Sequence, residues 1–447
     1  MKNRLISFII IGLFFTKKLD IIGILRKGIL KMERQILCID LKSFYASVEC
    51  VLRDLNPFLT PLAVADESRG GGSIVLAVSP YLKNLGVPSR CRIFEIDKIH
   101  SVIFAKPRMN TYIEYSTKVL DIYLDFISDE DLFVYSIDEA FLDVTSYLNY
   151  YKMTAYELAK KILKTIHEKL GLYATCGIGP NMLISKLALD LESKKKKDFI
   201  ATWTKDDIQK KLWPVKPLSK MWGIGPRMEK NLNRLGIYDI GELANYDPKK
   251  LHKYFGIMGV ELYNHANGRD ESKIQDQNEL KSIHQSYSVG QVLFKNYNYG
   301  DTKLIIREMT DDLARRLRLN KKMCWVVSLG IGYSKEYGGG FSRQLRLDNK
   351  TSNPKKILEA LYHLFDSFVE DYPIRRIHIG ASNLTTTTNQ QLSLFEDYQA
   401  EQLEYQLDSV VDVIKHQYGA SSIDKASVLY EASTKRKREA SVGGHNA

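Results

Sequence analysis

Residues 135–144 read YSIDEAFLDV. Drawn as an extended chain, the stretch puts Ser136, Asp138, Ala140, Leu142 and Val144 on one face. Ile137, Glu139, Phe141 and Asp143 fall on the other. Two adjacent carboxylates therefore interrupt an apolar strand, where unpaired charge is expensive to bury. Neighbours on an ideal strand point apart, so both acids can serve one site only if the backbone bends or ends there.

Outward from this stretch, strand and helix patterns alternate. QILCIDL (35–41) is an apolar run that closes on Asp40, and SIVLAVSP (73–80), after the flexible RGGG at 69–72, reads as another strand. Tyr112, Tyr115, Val119, Ile122 and Phe126 recur with a helical period over 109–127. TAYELAKKILKTIHEKLG begins with the capping-box pair Thr154 and Glu157 and stops at Gly171. YATCGIG (173–179) is strand-like, and Asn181 is placed to cap the helix MLISKLALDLESK. This alternation indicates an α/β unit to about residue 200. Lys194–Lys197 read most simply as a solvated helix end, with phosphate contact as the second option.

From 201 to 270 the pattern turns helical, and NGRDESKIQDQNELKS (267–282) reads as a polar linker. A second α/β unit follows: strand 283–293, helix 301–319, strands 325–333 and 341–348, helix 354–371 and strand 375–383. The rest reads as a polar tail with the basic cluster KRKR at 435–438.

The 447 residues leave room for three or four domains, and a net charge of +11 suits a polyanionic partner. Cys38, Cys50, Cys91, Cys176 and Cys324 are scattered and odd in number, which argues against a disulfide framework or zinc site and fits a reducing cytoplasm. The apolar run in MKNRLISFIIIGLFF (1–15) is too short to span a bilayer comfortably and lacks a small-residue cleavage pattern. We read residues 1–32 as a leader, either disordered or upstream of a true start at Met32, with a membrane anchor the less favoured alternative, and expect a cytoplasmic protein with no membrane association.

Three motifs carry chemistry. Asp40, Asp138 and Glu139, brought together by neighbouring strands, would repel one another unless a cation lay among them. Oxygen ligands suit Mg²⁺, and a pair of such ions serves in-line phosphoryl displacement. Adjacent acids also occur in ordinary loops. LSKMWGIGPRMEKNLNRLGI (218–237) has the form of a helix–hairpin–helix, in which Gly223 and Gly225 let the backbone approach a DNA phosphate. An ordinary helical hairpin is the alternative, and FGIMG (255–259) is either a degenerate second copy or chance. In QLSLF, Gln391, Leu392, Leu394 and Phe395 form an apolar peptide beside TTTTN that suits docking on a partner, or else starts a short buried strand or helix. Arg343 and Arg346 in FSRQLRLD are candidates to grip a DNA backbone, or simply face solvent.

ILCIDLKSFYASVEC (36–50) and YSIDEAFLDV resemble the two signature segments of the Y-family translesion DNA polymerases, and are most like the UmuC-type branch of bacteria. The resemblance runs from about residue 33 to 395. It implies an α/β (α+β) right hand: palm at 33–44 and 109–200, fingers at 45–108, and a helical thumb at 201–270. A linker at 271–282, a little finger at 283–384 and a tail at 385–447 complete that division. It also implies that Asp40, Asp138, Glu139 and the carbonyl of Leu41 hold two Mg²⁺ ions. Tyr45 would be the steric gate against ribonucleotides, Phe44 would shape the nucleotide floor, and Lys83 and Lys186 would contact the triphosphate. QLSLF matches a peptide that binds the bacterial sliding clamp.

Two departures stand out: Lys42 replaces a common acid or asparagine, and Pro80 and Lys83 stand where many members have tyrosine and arginine. The implied activity is template-directed addition of dNTPs to a primer 3′-hydroxyl during DNA damage tolerance. Primer-template DNA and the clamp are the implied partners, with an accessory subunit as in some relatives. A two-metal nuclease would use the same acids without a gate aromatic or triphosphate lysines. A non-catalytic, clamp-associated DNA-binding scaffold would tolerate loss of the acids.

Overall fold

The computed structural model describes residues 33–96, 101–277, 286–386, 398–442 and 444–446. The leader and QLSLF fall outside the described residues. The chain divides into two compact units, 1–105 with 112–279 and 106–111 with 280–447.

The first unit contains β1 (Ile36–Leu41), α1 (Phe44–Val51), β2 (Leu62–Val64), β3 (Ala77–Val78), β4 (Ile103–Ala105) and α2 (Met109–Leu124). It continues with β5 (Leu132–Val134), β6 (Glu139–Asp143), α3 (Ala155–Leu170), β7 (Ala174–Gly179), α4 (Met182–Leu191) and β8 (Ile200–Thr202). The main sheet has the order β5-β6-β1-β7-β8. β1 lies between antiparallel β6 and β7, which explains its unbroken apolar run: Ile36, Leu37, Cys38 and Ile39 are all fully buried. All five cysteines are free and buried.

The helix ends follow the sequence reading. The Thr154 side chain accepts from the Glu157 N–H, the Glu157 carboxylate accepts from the Thr154 N–H, and Gly171 closes α3 with φ 68°. Asn181 caps α4 by accepting from the Ile184 N–H at 2.8 Å. Gly177 lets α4 lie directly on β7, because a Cβ there would sit 2.0 Å from the Ser185 carbonyl oxygen. That close approach sets the depth of every side chain on α4.

Several stretches differ from expectation. YSIDEAFLDV is not one strand: β5 and β6 pair as a hairpin, and the Tyr135 and Ser136 N–H groups both donate to the Glu139 carbonyl at 3.0 Å. The required break thus falls at Asp138, in the turn, and the strand starts at Glu139. Of SIVLAVSP, only Ala77–Val78 pairs as a strand. Ser79 caps the following helix, and Pro80, which has no N–H to offer a ladder, opens it.

The stretch read as a linker is tied down as far as residue 277. Asp270 accepts from the Leu183 N–H at the start of α4, Asn181 donates to the Gly268 carbonyl, and Arg34 donates to the Ser272 carbonyl. Ile274 is 0% exposed, packed with Ile36, Cys38 and Phe133. Its polar neighbours, which read as solvated chain, instead satisfy a helix terminus.

Between 201 and 270 lie α5 (Pro226–Asn233), α6 (Pro248–Phe255) and α7 (Ile257–Ala266). The first helix expected for the hairpin is only a short turn, Leu218–Lys220. FGIMG does join two helices: Gly256, at φ 62°, links α6 to α7, and a Cβ on Gly259 would sit 2.4 Å from the Leu251 carbonyl oxygen.

The second unit contains β9 (Ser286–Tyr297), α8 (Tyr299–Leu319), β10 (Lys322–Tyr333), β11 (Gly340–Thr351), α9 (Pro354–Phe368), β12 (Ile374–Ser382) and α10 (Tyr398–Tyr418). Its sheet has the order β11-β10-β12-β9. The core joins Ile305, Met309, Leu313, Leu361 and Phe365 to Val327, Leu329, Ile331, Ile377 and Ile379. KRKR is not a loose basic tail. Lys435 is buried and pairs with Asp424 at 2.8 Å, and Arg438 pairs with Glu308 and Asp312, each at 3.0 Å. Acids on α8 recruit it. Among the described residues, no helix is long and apolar enough to cross a membrane.

Candidate active site

The acids meet at one end of the main sheet. Asp40, the last residue but one of β1, lies directly opposite Glu139 at the start of β6, and the Leu41 N–H donates to the Asp138 carbonyl at 2.9 Å. Their side chains then turn to different partners. Asp40 Oδ2 lies 2.9 Å from Lys194 Nζ, Glu139 lies 2.7 Å from Lys186 Nζ, and Asp138 Oδ1 accepts from Ser136 Oγ at 2.7 Å. Cys38 Sγ also donates to Glu139, at 3.2 Å.

Burial raises the pKa of Asp40, the charge of Asp138 adds to that rise, and Lys194 opposes it. Burial raises Glu139 as well, against the pull of Lys186. Among the described residues, no three His, Cys, Asp or Glu side chains converge closely enough to hold a metal ion. The donor set nonetheless fits a hard divalent ion: it is all oxygen, and ammonium groups stand on Asp40 and Glu139 as cationic substitutes.

The lysines flanking the acids depend on α4. Lys186 Nζ also pairs with Asp190 at 3.2 Å, and Lys194 Nζ lies 2.9 Å from the same carboxylate. Asp190 therefore bridges both cations. The two differ in access: the Lys186 side chain is 9% exposed and that of Lys194 is 41%. Just before Lys194, Glu192 accepts from Trp203 Nε1 at 2.6 Å and pairs with Lys211 and Lys196. Burial pushes Glu192 up, but those three donors outweigh it and hold the carboxyl at about 2.

Lys42 and Lys83 complete the group. Lost hydration lowers the pKa of Lys42, and repulsion from Lys83 and Lys194 adds to it. Lys83 is lowered first by the same loss of water, with Asp40 opposing and Lys194 adding to the fall. Lys194 pairs with Asp40 directly, while Lys42, whose Nζ lies 4.5 Å from the centre of the Phe199 ring, and Lys83 are close enough to feel the charge of Asp40. Lys42 and Asp190 were missed as site residues in the sequence, and Lys194 was offered phosphate contact only as the second option. The i, i+4 spacing of Lys186, Asp190 and Lys194 was the available signal, and the lysine run masked it.

Tyr45 stands in the first turn of α1, half-buried, its ring stacked on Tyr112 at 4.4 Å and 14°. Phe44 is buried, with its ring 5.6 Å from that of Tyr45. Ser43 precedes them in a left-handed conformation (φ 49°), which turns the chain sharply from β1 into α1. Gly223 has φ 90°, and Gly225, the N-cap residue of α5, has nothing within 4 Å of where a Cβ would stand, so this side of the hairpin backbone is open.

In the second unit, Arg343 and Arg346 lie on β11, an edge strand. Arg343 shares the face of Phe341 and Leu345 and lies over Phe368, whereas Arg346 lies over Trp325 on the opposite face. Cross-strand register puts Arg346 beside Val326 and Ser382, Ser342 beside Gly330 and His378, and Gly340 beside Gly332 and Arg376. That face is thus built of small residues with Arg346, Arg376 and His378 rising from it. Arg376 and His378 were also missed, although their alternation with Ile377 and Ile379 was legible. Gln391, Leu392, Leu394 and Phe395 lie outside the described residues.

Residues 39–190 match the impB/mucB/samB family, residues 284–394 match that family's C-terminal domain, and residues 205–237 match the IMS family HHH motif. The chain is 42% identical over 418 residues to UvrX of Bacillus subtilis (strain 168), a protein named for UV-damage repair, covering 93% of this chain and 98% of that protein. It is 35% identical over 424 residues to DNA polymerase IV 2 of the same organism, covering 92% and 99%. Its fold resembles that of a Y-family DNA polymerase chimera, with a TM-score of 0.63 at 21% identity over 79% of this chain and 99% of that one. The chain therefore belongs to the impB/mucB/samB family, within the Y-family DNA polymerases.

Proposed function

We propose that the chain adds dNTPs to the 3′-hydroxyl of a primer on template DNA, with Asp40, Asp138, Glu139 and the Leu41 carbonyl holding two Mg²⁺ ions. The observation that carries this reading is that half-buried Asp40 and Glu139 face each other at one sheet end, paired with Lys194 and Lys186, with Lys42 and Lys83 within reach of the charge of Asp40. Acids alone would suit a nuclease; a cluster of cations beside them suits a triphosphate. Bound divalent ions supply neutralising charge around the reacting phosphate. The side chains supply position. Lys194, the more accessible lysine, leaves Asp40 to grip the triphosphate, and Lys83 adds a second charge to it. Lys186 stays on Glu139 and Asp190 and orients that acid, so the phosphate contact implied for Lys186 by family resemblance passes to Lys194. Tyr45 closes against the sugar as a steric gate, supported by Phe44 below.

Gly223 and Gly225 hold the DNA backbone without reading its sequence, and Arg343 and Arg346 add phosphate contacts. Arg346, on the open face, is the stronger of the two. QLSLF docks on the bacterial sliding clamp, in the cytoplasm, and an accessory subunit assists during DNA damage tolerance. The name of the UV-damage relative supports that setting.

Primer extension by the full chain with Mg²⁺ and dNTPs tests the reading. Asp138→Ala should lower the rate by about a hundredfold or more. No extension by the wild type, or equal extension by the variant, overturns it.

A further inference from the structure

Beside the site lies a buried charge that the proposed reaction does not use. Glu49 lies on α1, one turn beyond Tyr45, and its side chain is 0% exposed. A lone carboxylate in that position would be strongly disfavoured. Its Oε2 pairs with the Arg53 guanidinium, which also donates to the Glu49 carbonyl at 2.9 Å. Its Oε1 accepts from the Tyr112 hydroxyl at 2.8 Å. Tyr112 comes from α2, is fully buried, and carries the Tyr45 ring on its face at 4.4 Å. A charged pair thus reaches the gate ring through one hydroxyl.

We propose that Glu49 and Tyr112 are positioning residues for sugar selection: Glu49 pins the Tyr112 ring, and that ring sets the height and tilt of Tyr45 beneath the nucleotide sugar. This rests on the reading of Tyr45 as the gate. A ribonucleotide differs by a single oxygen, so a gate rejects it only while its ring is held to a fraction of an ångström. Stacked rings slide past one another cheaply, whereas a hydrogen bond to a charged carboxylate is directional and strong. Filling the space under Tyr45 would need only a phenylalanine. Placing a hydroxyl there, with a buried carboxylate and a guanidinium behind it, adds restraint that packing alone lacks.

The test compares wild type, Tyr112→Phe, Glu49→Gln and Tyr45→Ala in single-nucleotide primer extension, with kcat and KM measured for a dNTP and its matching rNTP. Tyr112→Phe should lower discrimination against the ribonucleotide about tenfold, mainly through a lower ribonucleotide KM, with a smaller loss of deoxynucleotide turnover. Glu49→Gln keeps an acceptor for the hydroxyl and should move the ratio the same way by less. A purely structural role predicts equal losses with both nucleotides and an intact ratio. That result for Tyr112→Phe, with Tyr45→Ala admitting ribonucleotides, overturns the inference and leaves the gate standing. If Tyr45→Ala leaves discrimination unchanged, the gate fails and the inference falls with it. Should Glu49→Gln fail to fold, as a thermal melt would show, the near-isosteric Tyr112→Phe decides alone.

Discussion

Lys186 and Lys194 both reach Asp190, yet they differ in access. Lys186 is enclosed with Glu139, while Lys194 stands open beside Asp40. Lys194→Ala should therefore raise the KM for dNTP about tenfold, the worth of one charge-assisted contact, with a smaller change in kcat. Steady-state kinetics with Lys186→Ala alongside separates the two roles, because loss of Lys186 should act mainly on kcat and stability.

Glu192 gives a pH signature at the same scale. Its carboxyl is held at about 2, below an ordinary glutamate, so its contribution to stability is complete above the unfolded value. That contribution is lost as pH falls from there through about 2. Urea unfolding at about pH 5 and about pH 3 should show wild type losing more stability than Glu192→Gln over that interval. In sequence these residues were indistinguishable from solvated charge, since their meaning lies in partners contributed by other elements.

At the scale of elements, periodicity located most long helices and strands, because a core-facing side chain recurs with the repeat of the backbone that carries it, but it missed the 21-residue α10, which lies in what read as a polar tail. It failed where polar side chains serve the backbone. Asp270 and Asn181 read as linker and cap, but together they lash the segment after residue 267 to the start of α4, and Arg34 holds the Ser272 carbonyl. Ile274 anchors that segment, and Ile274→Ala should cost about 2–4 kcal/mol in denaturant unfolding. A truly free linker would show almost none of this loss. SIVLAVSP failed for the opposite reason: Val75 and Val78 are buried but Ile74 is exposed, and only Ala77–Val78 joins a ladder, since burial alone does not specify strand pairing.

Across the whole molecule, the net charge of +11 is spent unevenly. The KRKR cluster, which looked free to meet a polyanion, is partly consumed by Asp424, Glu308 and Asp312. Arg346, by contrast, stands on an open sheet face without an acidic partner among the ion pairs of the described residues. If it contacts phosphate, Arg346→Ala should weaken DNA binding across sequences and lower the salt slope of log K by about one. Fluorescence anisotropy at several salt concentrations measures this, and an unchanged slope would remove Arg346 from the interface.

By itself the sequence determined the alternation of most elements, the caps of α3 and α4, the two signature segments, and the need for a break beside Asp138. All of these are local: they follow from backbone repeat, capping chemistry and adjacent charge. Only the tertiary structure decided that Asp40 faces Glu139, that Lys194 rather than the deeper Lys186 is open beside them, and that Glu49 reaches Tyr45 through Tyr112. Those pairings join residues far apart in the chain, and no periodicity along one segment encodes which charge on another will come to rest against it.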